Sequence, residues 1–346
     1  MKQKICLISF DNWHYDKYII KLLQQKNIDA YHINLGGYKH ASLASRIVNV
    51  FSKIFLGINL KTKKKQEHII SELQKNGQHD IILVINPDVI ELKYHQLIKQ
   101  YTKKYVAYLY DSLHRCPVDH LLNANLFDKV FSFDEQDAKA HNFVKMNNYI
   151  YFDKKEIPTE KPKYKVTTIS SFDKRFPIYN KIAYQLEQLK TPFHFIFVSR
   201  NIEYKKFKYN FKAEANAKTN RQLLFQSKKI RLKQLLNLYS EAEIILDIVQ
   251  NNQTGLSFRV FEAMGMQKKL ITDNKTVVNY PFYNPNNILI IDRENPVIAP
   301  EFLNTEYEPV PDEIYNQYTL DNWVTTIFDL KNPPNEYPNP NQRIQK

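Results

Sequence analysis

The sequence predicts an α/β protein whose sheets are parallel and doubly wound. Apolar runs of strand length alternate with amphipathic segments of helix length almost from end to end. A helix-length crossover after each run is the connection that parallel pairing requires. At 346 residues with 43% hydrophobic content, the chain is long enough for two packed domains.

The first series of expected strands is KICLISF, DAYHINL, DIILVIN, YVAYLYD and KVFSFD. The second is KVTTISS, FHFIFVS, EIILDIV, KLITDN and NILIID. Helices are expected at 14–25, 63–76, 93–102, 178–190 and 229–240. Between the two series lies DKKEIPTEKPKYK (153–165), charged, with two prolines and no apolar period, which reads as a linker. Residues 1–152 and 166–317 are therefore expected to form two Rossmann-like domains that face each other across a hinge. YTLDNWVTTIFDL (318–330) reads as a closing helix, and residues 331–346 as a disordered tail.

Several function classes are disfavoured. The apolar run of MKQKICLISFDNWHYD is cut by Asp11, so it reads as a first strand rather than a secretory signal. No stretch approaches the roughly 18 apolar residues of a spanning helix, and a cytoplasmic location is expected. Cys6 and Cys116 read as ordinary thiols, and HRCPVDH (114–120) lacks the paired ligand spacing of a zinc site.

The net charge of +13 points to an anionic partner: nucleic acid, a phosphorylated glycan or a membrane surface. Segment 41–65 places Leu43, Ile47, Val50, Phe51, Ile54 and Phe55 at helical spacing before a run of lysines. Such a helix either lies on anionic lipid or packs on its own sheet. YKKFKYNFKAEANAKTNR (204–221) interleaves aromatics with lysines, but no motif of a known nucleic-acid module accompanies it.

Open parallel sheets bind ligands beyond the carboxyl ends of their strands. Asp11, Asp88, Asp111 and Asp134 stand at or just beyond such ends and are expected at one rim, either as functional carboxylates or as turn and N-cap residues.

The second half holds QTGLSFRVFEAMGMQKKLITDN (253–274), which contains the only two glycines after residue 77. A helix is expected from Leu256 to Met264, entered through Thr254 and Gly255 and left through Gly265. At ~100° per residue, Gly255, Arg259 and Glu262 share a narrow stripe, while Leu256, Val260, Ala263 and Met264 form the apolar face. A helix amino terminus with a glycine suits an anion, Arg259 offers a fork of donors, and Glu262 can accept from a ribose hydroxyl. The set fits a nucleotide diphosphate; the alternative is an exposed i,i+3 ion pair.

These residues resemble the donor-site segment of GT-B glycosyltransferases, closest to bacterial enzymes of lipopolysaccharide core and capsular polysaccharide synthesis, the core rhamnosyltransferase-like group. YVAYLYDS followed by LFDKVFSFDEQDA, and the terminal YTLDNW, are similar to other signatures of that group. The resemblance implies a nucleotide-sugar donor on the second domain and a glycan acceptor on the first. It places Glu262 at the second glutamate of the E-x7-E pattern, which binds the donor ribose. Thr254 stands where the first glutamate would be, so Gln253, Thr254 or Ser257 must contact the transferred sugar. Gly255, Leu256 and Ser257 would give backbone donors to the diphosphate. The loop ISSFDKR would bring Ser171 and Arg175 to the same phosphates.

No D-x-D triplet occurs, so neither metal nor other cofactor is expected, and leaving-group charge falls to the helix terminus, Arg259 and Arg175. Asp111 is the first choice for the base that takes the acceptor proton and Asp11 the second, on the premise of an inverting reaction. A lipid-linked or lipopolysaccharide-type acceptor at the inner face of the cytoplasmic membrane would give the positive charge a role. The rival readings are a non-catalytic nucleic-acid-binding protein and a nucleotide-sugar epimerase on the same scaffold.

Overall fold

The computed structural model describes residues 2–11, 14–36, 60–157, 160–209 and 222–330. It divides into two compact units, one of Met1–Asn147 with Val324–Leu330 and one built on Asn148–Trp323.

The first unit holds β1 (Lys4–Ser9), β2 (Asp29–Asn34), β3 (His79–Ile85), β4 (Thr102–Leu109), β5 (Lys129–Ser132) and β6 (Val144–Lys145), in the spatial order β2-β1-β3-β4-β5-β6. Every pairing is parallel. Ile5 through Ile8 and Tyr105 through Leu109 are completely buried, the unbroken apolar run of strands covered on both faces.

The second unit repeats the plan with β7 (Tyr164–Ser171), β8 (Phe193–Val198), β9 (Leu223–Gln226), β10 (Ala242–Asp247), β11 (Lys269–Thr272) and β12 (Ile288–Ile290), in the order β12-β11-β10-β7-β8-β9, again all parallel. Side chains alternate between two cores, as the strand period of two dictates. Val166, Ile244 and Leu246 join Phe176, Tyr179 and Phe195 on one face. Ile169 and Ile245 join Val260, Phe261 and Leu270 on the other. Phe176 and Phe197 meet edge-on at 5.0 Å.

The expected boundaries shift in three places. The chain passes to the second unit at Asn148, ahead of 153–165, because Tyr149, Ile150 and Tyr151 are buried there. The backbone of Ile150 exchanges hydrogen bonds with Tyr318 (2.7 Å) and Leu320 (2.9 Å), and Lys155 N donates to Gly265 O. The final helix is shorter than 318–330, spanning Leu320–Ile327, and Asp329 beyond it accepts from Lys104 and Lys129. The edge strands β6 and β9 add to the ten expected strands. Most of segment 41–65, residues 210–221 of the basic tract and the tail from residue 331 lie outside the described residues.

Candidate functional site

At the carboxyl end of β10 the chain turns through residues 248–257 and enters the helix Phe258–Gly265. Ser257 is the N-cap: its backbone is extended (φ −69°, ψ 162°) and its Oγ accepts from Arg259 N at 3.2 Å. The expected start at Leu256 thus moves two residues on.

The turn is held through its carbonyl oxygens. Thr254 O accepts from Thr276 Oγ1 (2.7 Å) and Asn274 Nδ2 (3.2 Å). Gly255 O accepts from Gln253 Nε2 (2.9 Å) and Asn274 Nδ2 (3.3 Å), and Leu256 O from Asn148 Nδ2 (3.0 Å). Among the described residues every peptide bond is trans, so each carbonyl points opposite to the N–H that follows it. The N–H groups of Gly255, Leu256 and Ser257 are therefore directed away from Asn274, Thr276 and Asn148.

Arg259 does not stand on an exposed polar stripe. Its Nε donates to Asp247 Oδ1 at 2.7 Å and its Nη1 to Ile169 O at 3.3 Å, while Ser257 Oγ donates to Asp247 Oδ2 at 2.8 Å. Asp247 is fully buried, and a buried carboxylate needs a counter-charge, which draws the guanidinium inward. Burial opposes the charge on Arg259, but Asp247 together with Tyr179 and Tyr239 holds the guanidinium well above its ordinary value.

Glu262 is likewise buried, at 1% exposure, and Tyr151 OH donates to its Oε1 at 2.8 Å. The expected ribose acceptor is thus a strut between the helix and the segment that opens the second unit. Gly265 is the last helical residue rather than a left-handed cap; Gln267 carries the positive φ (51°). A Cβ on Gly265 would stand 2.7 Å from Ile150 Cγ2 and 2.9 Å from the Phe152 ring, so the glycine admits that same segment.

Arg175 is corrected in the same way. It is 5% exposed, grips Asp173 through Nε (2.9 Å) and Nη2 (2.7 Å), and donates from Nη1 to Ile248 O (2.8 Å). It ties the loop after β7 to the turn after β10 and is not an open cation. Ser171 is half-buried at the end of β7, and Gln253 and Thr254 are half-buried in the turn.

A third pair completes the row: Arg293 Nε donates to Asp273 Oδ2 at 2.7 Å and its Nη2 to Val249 O at 2.5 Å. Asp173, Asp247 and Asp273 thus follow or end β7, β10 and β11, three adjacent strands, each neutralised by an arginine. The sequence reading missed all three carboxylates, although Asp247 inside the apolar run EIILDIV was a visible signal.

In the first unit, Asp11, Asp88, Asp111 and Asp134 follow β1, β3, β4 and β5, neighbours in one parallel sheet, and so share one rim. Their roles differ. Asp134 caps the helix Glu135–Ala140, accepting from Gln136 N and Asp137 N. Asp88 accepts from Cys116 Sγ at 2.8 Å, and burial pushes its carboxyl up. Asp111 is occupied at both oxygens, by Arg115 Nη1 (2.7 Å) and Asn86 Nδ2 (3.2 Å).

Asp11 has a side chain 4% exposed, with His14 Nδ1 3.6 Å from its Oδ2, and its Oδ1 accepts from Asp16 N at 3.2 Å. Asp16 stands behind it at 1% exposure and accepts from Ser9 Oγ and from Tyr110 OH (3.3 Å). Ser9 Oγ also lies 2.9 Å from His32 Nε2. Burial, then the charge of Asp11, push the Asp16 carboxyl up to about 7. Asp16 had read only as a helix residue, because nothing in the sequence shows that its helix turns it inward.

Among the described residues no group of three or more His, Cys, Asp or Glu is placed to hold a metal ion, and no helix is long and apolar enough to cross a membrane.

Comparison with protein-family models finds no match, and comparison with curated proteins finds none. Solved structures do match. The apo form of the lipopolysaccharide outer core galactosyltransferase WaaB shares 12% identity at a TM-score of 0.52, over 94% of this chain and 99% of that one. Anabaena HepE in complex with UDP and glucose shares 11% at 0.57, over 94% and 98%. The UDP-GlcNAc 2-epimerase of Methanocaldococcus jannaschii shares 13% at 0.52, over 95% and 100%. At these identities the likeness concerns the fold alone, and the fold of this chain is GT-B, two Rossmann-like units with parallel six-stranded sheets.

Proposed function

We propose that this chain is a glycosyltransferase that moves a sugar from a nucleotide-sugar donor to a glycan acceptor. The observation that carries the reading is the turn Thr254–Ser257. Thr254 O and Gly255 O are both held by Asn274 Nδ2, so the peptide N–H groups of Gly255 and Leu256 are directed away from it, just ahead of the helix that Ser257 caps. Such amides, with the positive end of the helix dipole, suit a pyrophosphate and can stabilise its charge as it leaves, with no metal.

In the transfer, an acceptor oxygen bonds to the anomeric carbon while the bond from that carbon to the diphosphate breaks, and the diphosphate keeps the electron pair. The acceptor proton goes to a carboxylate of the first unit. Asp111, with a side chain 34% exposed, stands ahead of Asp11 for that role, because the Asp11 side chain is 4% exposed and already accepts from Asp16 N. The role presumes inversion at the anomeric carbon.

WaaB, a lipopolysaccharide outer core enzyme, and HepE, seen with UDP and glucose, share the fold and support a finer reading. In it the donor nucleotide is UDP and the acceptor is a lipid-linked or lipopolysaccharide-type glycan of a bacterial surface polysaccharide. A net charge of +13 would draw the chain to the anionic inner face of the cytoplasmic membrane. The epimerase neighbour supports a second reading, in which a sugar isomer is released without an acceptor.

A thermal-shift panel of UDP, GDP, dTDP and CMP is the first test. A ligand that binds only the native state at a hundred times its Kd adds about 2.7 kcal/mol. UDP is expected to raise Tm and UDP-sugar to be consumed only with acceptor present. Consumption without acceptor, yielding an isomer, selects the epimerase; no shift with any nucleotide sinks both.

A further inference from the structure

Asn86, directly after β3, carries an inference that rests on the transferase reading above and on Asp111 as its base. In a parallel ladder the bonds are evenly spaced, and a paired residue donates its N–H to one carbonyl of the neighbouring strand and accepts from an N–H further along it. Asn86 makes the first of these bonds with its backbone, from its N–H to Tyr108 O at 3.0 Å. Its side chain makes the second: Tyr110 N donates to Asn86 Oδ1 at 2.8 Å. The exchange follows from the backbone, which turns left-handed at Asn86 (φ 49°, ψ 74°) ahead of Pro87 and leaves the ladder there.

A side-chain amide carries what a main-chain carbonyl lacks, donors on the same group. Asn86 Nδ2 donates to Asp111 Oδ2 at 3.2 Å, and Arg115 Nη1 donates to the other oxygen, Oδ1, at 2.7 Å. Arg115 comes round to Asp111 because Arg115 N and Cys116 N both donate to Ser112 O, which closes a turn after β4. One carboxylate oxygen is thus tied to the end of β3 and the other to that turn. An ionised carboxylate has about four acceptor positions, so two bonds fix its plane and leave positions for a proton.

We propose that Asn86 is a positioning residue for Asp111, its amide oxygen completing the β3–β4 ladder while its amide nitrogen orients the carboxylate. In the transfer the acceptor O–H bond breaks and its proton bonds to a carboxylate oxygen of Asp111. The acceptor oxygen bonds to the anomeric carbon, and the nucleoside diphosphate leaves with the electron pair. Asn86 acts through Asp111 alone.

Substitution separates this role from two plainer ones. Glycine adopts a left-handed backbone freely but has no amide, so Asn86→Gly keeps full turnover if Asn86 only shapes the turn. Aspartate tolerates that backbone and can still accept from Tyr110 N, so Asn86→Asp keeps full turnover if Asn86 only extends the ladder. For positioning, Asn86→Asp is the worse of the two, because it sets a like charge against Asp111 in place of a donor.

The test has two arms on the full chain. The first needs no sugar substrate: hydrogen exchange of the Tyr110 amide is expected to quicken about tenfold in Asn86→Gly, for the loss of one hydrogen bond, and to stay at the wild-type rate in Asn86→Asp. The second measures kcat and KM with the nucleotide sugar that the thermal panel selects. A misaimed base costs the transition state and not binding, so kcat is expected to fall about a hundredfold in Asn86→Gly and further in Asn86→Asp, with KM for donor and acceptor unchanged. On the residual rate of Asp111→Asn, adding Asn86→Gly is expected to cost nothing more.

Wild-type kcat in either variant overturns the proposal, and Asn86→Asp, which keeps the ladder bond, decides it should Asn86→Gly fail to fold. An equal fall in the Asp111→Asn background also overturns it, since Asn86 would then act by another route. Unchanged Tyr110 exchange in Asn86→Gly removes the bond on which the orientation depends. No turnover of any nucleotide sugar by the wild type sinks the transferase reading and the positioning role with it, whereas wild-type turnover with full activity in both variants sinks the role alone.

Discussion

Asp247, wholly buried at the end of β10, and Arg259, in the first turn of the following helix, are joined by a 2.7 Å ion pair that also engages the N-cap Ser257. The pair fixes where the helix begins and therefore where its amides point. Removing one partner leaves the other charge buried and unmatched, which costs about 3–5 kcal/mol. Asp247→Ala is expected to lose that much in urea unfolding, and the double variant Asp247→Ala/Arg259→Ala to lose less than the sum of the singles. Additive losses would show that the two residues act independently.

Gly265 distinguishes capping from packing. In a helix, alanine is more favourable than glycine by about 1 kcal/mol, so Gly265→Ala should stabilise the chain if only the helix mattered. The Ile150 and Phe152 side chains already lie within 3 Å of where the new methyl would sit. Overpacking of this kind costs roughly 1–3 kcal/mol, and a fall in Tm is expected, partly restored by Phe152→Ala. A rise in Tm for the single variant would refute the packing role.

Asn274 holds the turn from behind through two carbonyls, Thr254 O and Gly255 O. Each such hydrogen bond contributes about 0.5–1.5 kcal/mol, and losing both lets the amides in front drift from a common direction. Asn274→Ala is expected to weaken nucleotide binding about tenfold by calorimetry, or about 1.4 kcal/mol, with the helical circular dichroism unchanged. Equal affinity in the variant would remove the turn from the donor site.

The strands were legible because burial on both faces leaves a continuous apolar run, as in Ile5–Ile8. The strand Val144–Lys145 is too short to carry a pattern, and Leu223–Gln226 exposes Leu224, so neither edge strand announced itself. The turn 253–257 was legible through scarce glycines, but its electrostatics were not. Spacing along a helix shows only local neighbours, so Arg259 was matched with Glu262, while its partner Asp247 lies at the end of the preceding strand. Tyr151 and Asn148, which hold Glu262 and Leu256, sit in a stretch that composition assigned to the first domain.

The raised carboxyl of Asp16 has a consequence for stability that needs no substrate. Its folded value of about 7 exceeds the roughly 3.9 of an unfolded aspartate, so between those values the folded chain binds more protons than the unfolded one. Stability from this group is therefore full below the unfolded value and falls as pH rises, reaching a deficit of roughly 4 kcal/mol above pH 7. Asp16→Asn removes the titration while keeping the shape. Its unfolding free energy relative to wild type is expected to grow by about 2–3 kcal/mol between pH 5 and 8 in urea titrations. A constant gap across that range would mean that Asp16 is already ionised in the folded chain at pH 5, and that burial does not hold its carboxyl up near neutral pH.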